Sequence, residues 1–375
     1  MNYHLPNAIV NGLSVALAFL LLIFAIPVHR HSLLAPNLKW DTYCVFQEGQ
    51  RLVNGESPYA RMVNGDMTRS SKQAVYLPAF YLFSALTVKL GRTTFESWLV
   101  VWRWVFLACL LLTGAAVFLR LYAGGLPLYG LLALAILLFG RWSLYITSVS
   151  NMDFLPILFV VLALIAAPRR LALGAALMGV SLAIKHVAVF VAPLFVIEAW
   201  RRGGPDRVRQ TMRVGLAMAA VPLAVSLPFL TWEPVGFVRS IMVSVVRVEP
   251  GHFREALSLD MRMQWHSAIG RSAMYVFILG VYLAAALGRL PGLAAGAALI
   301  MIGMVAFTRT IFYQYMIWPL PLILLAMGDF LQAPLGLQGS TAPPESSTTG
   351  ALPLPMAPAE AIESKLQTAQ AGQPT

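Results

Sequence analysis

The chain has few charged residues and only two cysteines, and both shortages narrow the class of protein. Of its 375 residues, 11% are charged and 58% are hydrophobic, and the mean hydropathy is +0.72. Soluble domains carry about 25% charged residues, so this composition excludes a water-soluble fold. Cys44 and Cys109 do not form the spaced pattern of a disulfide framework, and we predict neither a disulfide nor a cysteine metal site.

Common signatures of nucleotide and metal chemistry are also missing. The sequence has no glycine-rich phosphate loop, no His-x-x-x-His pair and no Gly-x-Ser-x-Gly nucleophile elbow. We therefore predict no nucleotide cofactor and no structural metal, and the sequence leaves open whether a divalent cation takes part. It also shows no inverted internal repeat of the kind found in many transporters.

Long apolar runs dominate instead. A helix needs about 20 apolar residues to cross a hydrocarbon core of about 30 Å. The first run, 8–28, is too long for a signal-peptide core and lacks a cleavage site, so it is predicted to be the first spanning helix. The pattern predicts an all-α polytopic transmembrane helix bundle of about 10 spans, within about 9 to 12. The predicted spans are 8–28, 98–119, 126–140, 153–167, 171–186, 188–199, 213–231, 270–287, 291–307 and 311–331.

Basic residues gather in short loops, so the net charge of +11 indicates membrane topology rather than nucleic-acid binding. The most basic loop, 201–213, is predicted to be cytoplasmic. Counting spans from it places the long loops 29–75 and 232–268 outside. The run 76–90 is then re-entrant or lies along the outer surface, with juxtamembrane helices in the outer loops. The composition favours a bacterial plasma membrane. The polar tail, 332–375, is predicted to be a disordered cytoplasmic appendage to the membrane domain, 1–331.

Asp41 is the candidate general base. It stands just beyond the first helix in the segment 40–59, WDTYCVFQEGQRLVNGESPY. A carboxylate there can accept the proton of an acceptor hydroxyl as its oxygen attacks a sugar anomeric carbon. One base is enough when the leaving group is a phosphate, whereas a glycoside hydrolase uses two carboxylates. The alternative is that Asp41 caps a short surface helix.

Lys185 and His186 interrupt an otherwise apolar run in SLAIKHVAVF, 181–190. An ionisable residue inside a membrane segment costs about 2.5–3.5 kcal/mol on insertion scales, which makes it a candidate for function. The two cations could bind the phosphate of a lipid-linked donor and stabilise it as it leaves. The alternative for Lys185 is that its long side chain reaches the outer lipid headgroups.

Several other polar residues are candidates for the same site. Tyr76, in AVYLPAFYLF, offers an aromatic face to a sugar or belongs to the membrane-interface belt. Asn151 is a candidate sugar ligand, and Asp153 either caps the next helix, which we favour, or binds substrate. Arginines of the later outer loops could clamp phosphate or contact lipid headgroups. These later candidates are Arg262 and Arg309 for the donor phosphate and Gln264, His266, Tyr313 and Gln314 for substrate.

The ordered series of these segments resembles the bacterial polyprenol-phosphate-mannose-dependent α-mannosyltransferases of the GT-C superfamily. The similarity covers about residues 8–330 and rests on the 40–59 segment and then YLPAFYL, LAIKH, LPFLTWEPVGFVRS, QWHSAIGR and FYQYMIWPLPLILL. The resemblance implies a GT-C helix bundle with Asp41 as catalytic base and Lys185 and His186 in a basic membrane motif. Some relatives carry histidine where this chain has Tyr313 and Gln314, so the donor sugar stays open.

What the resemblance implies for function is an inverting sugar transfer on the outer face. The donor is expected to be a polyprenyl-phosphate sugar, with mannose as the expected sugar, and the acceptor a lipid-linked or cell-envelope glycan. The expected partners are these two substrates and membrane lipids, with no nucleic acid. Two other functions stay open: a transporter or flippase for a lipid or anionic solute, which would also use intramembrane cations, and an inactive scaffold.

Overall fold

The computed structural model describes residues 7–33, 40–64, 74–246, 259–263, 268–307 and 313–332. Within these ranges the regular elements are helices, and no β-strand occurs. The α-helices are α1 Asn7–Leu33, α2 Trp40–Val53, α3 Ala79–Lys89, α4 Phe95–Ala123, α5 Pro127–Phe139, α6 Arg141–Ser148, α7 Phe154–Ala166, α8 Leu171–Ile184, α9 Ala192–Arg202, α10 Arg207–Trp232, α11 Pro234–Val246, α12 Leu259–Arg262, α13 Ala268–Ala286, α14 Leu293–Phe307 and α15 Pro319–Gln332. Short 3-10 helices cover Ala60–Met62, His186–Phe190, Gly204–Asp206 and Tyr313–Ile317.

The predicted all-α polytopic bundle is confirmed. In the described part of the chain, five helical segments are long and apolar enough to cross a membrane: Ala8–Arg30, Phe95–Ala123, Pro127–Ser148, Gly204–Trp232 and Tyr313–Gln332. Shorter apolar helices, including α7, α8 and α14, supply further segments. A helix satisfies backbone hydrogen bonds within its own segment and without water, and each apolar run of the sequence accordingly becomes a helix.

One end of the bundle collects the arginines of the short loops. The Arg202 guanidinium donates hydrogen bonds to the carbonyl oxygens of Ala167, at 3.1 Å, and Pro168, at 3.0 Å, and so joins the end of α9 to the turn between α7 and α8. Arg120, at the end of α4, pairs with Asp329 of α15 at 2.8 Å. We call this end, with residues 120–126, 167–170, 201–207 and 329–332, the basic end.

The opposite end carries the helices that do not cross the bundle. The buried ring of His29, near the end of α1, lies 2.8 Å from the Thr147 hydroxyl of α6 and 2.7 Å from the Leu138 carbonyl oxygen. At the same end α3 packs on α2, and the Ser84 hydroxyl donates to the Val45 carbonyl oxygen at 3.0 Å. We call this the site end.

The described chain runs between the two ends ten times. The passes are α1, α4, α5 with α6, α7, α8, residues 186–202, α10, α13, α14 and residues 313–332. Five of these passes are long and apolar enough to span a membrane by themselves, so the count of about ten spans stays a prediction. Helix α3 has 11 residues and a length of roughly 16 Å, and it is shorter than α7, α8 and α14. It packs on α2 at the site end, and that 76–90 does not span stays a prediction.

Both ends of α4, including the sharp turn into α5, follow from local sequence. The Thr94 hydroxyl caps the start of α4 by accepting a hydrogen bond from the Ser97 amide at 3.3 Å. At the other end of α4, Gly125 has a φ of 78°, a left-handed conformation that glycine adopts at low cost. Pro127 then begins α5, because a proline at the first helical position loses no hydrogen bond.

The described residues fall in one of two compact units, Met1–Leu337. The other unit, Gln338–Thr375, lies outside the described residues, as does the predicted tail except for Gln332. The division at residue 331 therefore stays a prediction.

Candidate active site

The site begins where α8 is interrupted. Lys185 has an extended backbone, with φ −152° and ψ 121°, so α8 ends at Ile184 and a 3-10 helix starts at His186. Non-helical backbone among spanning segments is tolerated where it is buried in protein or lines a cavity, and broken helices of this kind form binding sites in other membrane proteins. The interruption therefore marks this point of the bundle as a candidate site.

The side chain of Lys185 is buried in the protein and paired with an acid. Its exposed fraction is 1%, and its Nζ donates to Oδ1 of Asp153, which is fully buried, at 2.5 Å. The same Oδ1 accepts a hydrogen bond from the Trp318 indole Nε1 at 3.1 Å. We call these three residues the Lys185 cluster. The alternative in which Lys185 extends to the lipid headgroups is wrong, because the ammonium points to a partner inside the bundle.

The capping role that we favoured for Asp153 is wrong. Asp153 occupies the residue before α7, but its side chain makes no capping hydrogen bond. A buried carboxylate is stabilised more by a cation and a second donor than by an amide of its own helix, so it turns towards Lys185 and Trp318. Its proposed contact with substrate is not tested by this geometry.

Aromatic rings surround the Lys185 ammonium. Its Nζ lies 5.5 Å from the ring centroid of Tyr76 and 5.2 Å from that of Tyr315, which is within the range of a cation–π interaction. The ring of His186 is 6.4 Å from that of Tyr76. Tyr76, Lys185 and His186, three predicted site residues from two separate segments, therefore meet at one place.

Asp41 lies in the first turn of α2, near the same place. Burial raises the pKa of the Tyr76 hydroxyl well above its ordinary value, and the negative charge of Asp41 raises it further. Lys185 lies beside the same tyrosine, with its Nζ 5.5 Å from the ring centroid. Asp41 and Lys185 therefore lie near a common neighbour, Tyr76.

A strained turn between α6 and α7 carries the next two candidates. Ser150 has a φ of 52°, uncommon for a residue with a side chain. The Thr42 hydroxyl donates to the Ser150 carbonyl oxygen at 2.9 Å, and Arg103 Nε donates to the Ser150 hydroxyl at 2.8 Å. Because Thr42 follows Asp41 directly, this turn and the start of α2 are fixed relative to each other.

Asn151 and Asp153 leave buried polar atoms without partners. Neither polar atom of the Asn151 amide, nor Oδ2 of Asp153, has a hydrogen-bond partner among the described residues. Buried polar groups are nearly always hydrogen-bonded, to protein, water or ligand. These three atoms are therefore able to form hydrogen bonds with the hydroxyl groups of a ligand, and the role of Asn151 as a sugar ligand stays a prediction.

A second carboxylate, Glu48, is buried on α2. It pairs with Arg61, and Arg51 Nε lies 3.6 Å from its Oε2. Burial raises the pKa of Glu48, while Arg61 acts in the opposite direction. A polar cavity of about 280 Å³ lies beside this pair and is lined by Gln47, Gln50, Arg51, Asn54, Glu56 and Arg61. At 100° per residue, Gln50 is on the face of α2 opposite Asp41, whereas Glu48 is on the same face as Asp41.

Of the six remaining predicted site residues, the structure describes three. Tyr313 stacks on Trp142 with ring centroids 6.0 Å apart, and Gln314 is buried in the 3-10 helix that also carries Tyr315. Arg262 is exposed on α12, and no contact of the described residues joins it to the Lys185 cluster. The other three predicted residues lie outside the described part of the chain: Gln264, His266 and Arg309.

Sequence reasoning missed Trp318, Tyr315 and Arg103. The available signal was the run YQYMIWP, 313–319, which places aromatic rings at the start of a spanning helix. The run also contains the predicted substrate ligands Tyr313 and Gln314. Arg103 lies inside an apolar run, and the rule applied to Lys185 would have selected it as well. Within the described residues, no group of three or more His, Cys, Asp or Glu side chains could hold a metal ion.

Comparison with known proteins gives one finding. The family model described as "ALG3 protein" matches residues 30–242, more than half of the 375 residues, and the match includes Asp41, Asp153 and Lys185. No curated protein and no solved structure matches the chain.

Proposed function

The chain belongs to the ALG3 protein family, and from this premise we propose that it transfers mannose from a polyprenyl-phosphate donor to a lipid-linked or cell-envelope glycan. The family consists of membrane mannosyltransferases of the GT-C kind, so the chain is a multi-pass membrane glycosyltransferase. The identity of its donor, its acceptor and its mechanism are the content of the proposal.

The observation that carries the proposal is that a carboxylate, Asp41, and a cation, Lys185, lie near the same tyrosine at the site end. Asp41 stands in the first turn of α2 and Lys185 follows α8, and both lie near the side chain of Tyr76. A transferase that uses a sugar phosphate needs one base for the acceptor and one positive group for the departing phosphate. A transporter or flippase has no need of the base.

The proposed reaction is a single displacement with inversion. The acceptor hydroxyl oxygen attacks the anomeric carbon, and its proton passes to the Asp41 carboxylate. The new glycosidic bond forms as the bond between the anomeric carbon and the phosphate oxygen breaks, and the electron pair remains on the phosphate. An ammonium has three donors, and Lys185 uses one of them for Asp153, so it retains donors for phosphate oxygens.

His186 and Tyr76 complete the donor side of the proposal. His186 follows Lys185 on the 3-10 helix and is proposed to assist in phosphate binding, with Arg262 and Arg309 as outer-loop contributors. Tyr76 offers its ring to the sugar, because aromatic faces suit the C–H surfaces of sugars. The other proposed substrate ligands are Asn151, Asp153, Gln264, His266, Tyr313 and Gln314.

The orientation of the protein is also proposed. Loops rich in arginine stay in the cytoplasm, so the basic end is proposed to be cytoplasmic and the site end to face the other side. A bacterial plasma membrane, with the site on its extracytoplasmic face, fits the composition of the chain. No cofactor is proposed.

The test is transfer of radiolabelled mannose from polyprenyl-phosphate mannose to lipid acceptors in membranes that contain the full chain. Asp41→Asn is expected to lower the rate by about 100-fold or more, because an amide cannot accept the proton. Asp206→Asn is the matched control, since Asp206 is exposed at the basic end, and it should transfer at the wild-type rate.

Each outcome has a distinct meaning. Equal transfer by wild type and Asp41→Asn would remove Asp41 from the mechanism. Absence of transfer by the wild type, with the labelled donor recovered unchanged on the opposite leaflet, would instead favour a flippase.

A further inference from the structure

Asp153 connects three helices at the candidate site. Its Oδ1 accepts hydrogen bonds from Lys185, 32 positions away, and from Trp318, 165 positions away. These residues stand at the start of α7, the end of α8 and the start of α15. The reaction proposed above assigns chemistry to the Lys185 ammonium, and it gives Asp153 a contact with substrate but does not explain why Asp153 pairs with Lys185.

The contacts of the Lys185 ammonium with Asp153, Tyr76 and Tyr315 restrict its orientation. A buried cation without a counter-charge is unfavourable, because it has lost its hydration, and Asp153 supplies that counter-charge. The indole N–H of Trp318 fixes the carboxylate in turn, at 3.1 Å. The rings of Tyr76 and Tyr315 limit the remaining space around Nζ at 5.5 and 5.2 Å.

We propose that Asp153 and Trp318 are positioning residues that hold the Lys185 ammonium in place for the phosphate of a polyprenyl-phosphate ligand. The inference rests on the proposed function, in which Lys185 contacts that phosphate. In this role Asp153 acts through Lys185 and does not itself touch the reacting atoms.

The charges explain why a paired lysine suits this reaction. The donor is a phosphodiester with one negative charge, and its phosphate gains a second as the bond to the sugar breaks. A fixed ammonium interacts more strongly with the phosphate as this charge develops, without having to reorient. Asp153 offsets part of the attraction, which allows the polyprenyl phosphate product to leave.

The competing explanation is that the ion pair only fastens the three helices. Removing one partner cannot separate the two explanations, because it leaves an uncompensated buried charge that destabilises the fold. Removing both charges can, since a buried pair replaced by neutral side chains of similar size is often tolerated. Asp153→Asn combined with Lys185→Met therefore tests whether the pair binds phosphate or only fastens the helices, and its asparagine can still accept the Trp318 hydrogen bond. Positioning itself is tested by a variant at Trp318, which keeps both charges.

Two further variants of the chain complete the set to be tested. Trp318→Phe keeps an aromatic ring but removes the N–H that orients Asp153. The combination of Arg120→Met with Asp329→Asn removes the ion pair of the basic end, 2.8 Å in length, and is the matched control for loss of an interhelical pair.

The first measurement is the melting temperature of the full-length protein in detergent, with polyprenyl phosphate, polyprenol or phosphatidic acid added. The second is the KM for polyprenyl-phosphate mannose and the kcat of transfer. We expect polyprenyl phosphate to raise the melting temperature of the wild type and of the Arg120/Asp329 control more than the other two lipids do.

The double variant should melt near the wild type without ligand and lose this response. Trp318→Phe should need about tenfold more polyprenyl phosphate, the loss expected when one hydrogen bond to a charged group is removed. A purely structural role would change the melting temperature without ligand but not the response to ligand.

Three results would overturn the inference. They are a full response and normal KM in the folded double variant, a full response in Trp318→Phe, and an equal response of the wild type to phosphatidic acid or polyprenol. If the double variant does not fold, Trp318→Phe decides the question alone. A wild type that responds to polyprenyl phosphate but transfers no mannose would reject the proposed function and leave the positioning role standing.

Discussion

At the scale of single residues, Ser150 concentrates backbone strain beside the candidate site. A φ of 52° brings Cβ close to the backbone and costs roughly 1–2 kcal/mol for a residue other than glycine. The strain persists because two contacts hold the residue, one from Thr42 to its carbonyl oxygen and one from Arg103 to its hydroxyl. Strained residues of this kind often occur at sites of function.

A pair of substitutions separates the strain from the hydroxyl contact. Ser150→Ala removes the acceptor of the Arg103 hydrogen bond and keeps the strain, whereas Ser150→Gly removes both. The glycine variant should therefore be more stable than the alanine variant by about 1 kcal/mol. Thermal unfolding of the purified proteins measures the difference, and an alanine variant that melts higher than the glycine variant would contradict the strained conformation.

At the scale of elements, α8 is held close to its neighbours by glycines. A Cβ built on Gly179 would lie 2.2 Å from the Met218 carbonyl oxygen of α10, and one built on Gly174 would lie 2.7 Å from the Ala163 carbonyl oxygen of α7. Small residues at such crossings allow helix backbones in a membrane to approach closely. This approach fixes the position of the end of α8, where Lys185 lies.

Gly179→Ala tests the approach of α8 to α10. The added methyl group must push the two backbones apart, and overpacking of this kind costs about 1–3 kcal/mol. We expect a lower melting temperature and reduced mannose transfer, because the displacement reaches Lys185. Gly280→Ala on α13 is the control, since its Cβ would meet open space, and it should melt at or above the wild-type temperature. Equal stability of the two variants would rule out the close crossing.

At the scale of the whole molecule, the short loops differ between the two ends of the bundle. The arginine-rich short loops lie at the basic end, and the site end carries Asp41 and the amphipathic helix α2. The positive-inside rule turns this difference into an orientation. The orientation matters because it decides on which side of the membrane the candidate site lies.

Cysteine labelling checks the orientation. Asn54, at the site end, and Asp206, at the basic end, are both exposed, whereas the native Cys44 and Cys109 are buried. A membrane-impermeant maleimide added to intact spheroplasts should label Asn54→Cys, and it should label Asp206→Cys only after the membrane is permeabilised. The unsubstituted chain measures the background. The reverse pattern would place the site in the cytoplasm.

The candidate site was predictable in part. Asp41, Lys185, His186 and Tyr76 were chosen because each departs from an apolar or loop pattern that is visible locally, and the structure brings them together. Asp153 was assigned to a cap because a local rule applies to any acid before a helix. Its actual partners are 32 and 165 positions away, and no local pattern reports contacts at such separations.

The sequence by itself determined the all-α class and the approximate limits of the helices. These depend on the length and hydropathy of continuous segments, because each helix must satisfy its own backbone hydrogen bonds. Only the tertiary structure decided which ionisable residues meet. The pairing of Lys185 with Asp153, the indole hydrogen bond from Trp318 and the strained turn at Ser150 depend on how the helices pack. A buried charge takes its partner from whichever segment that packing brings near.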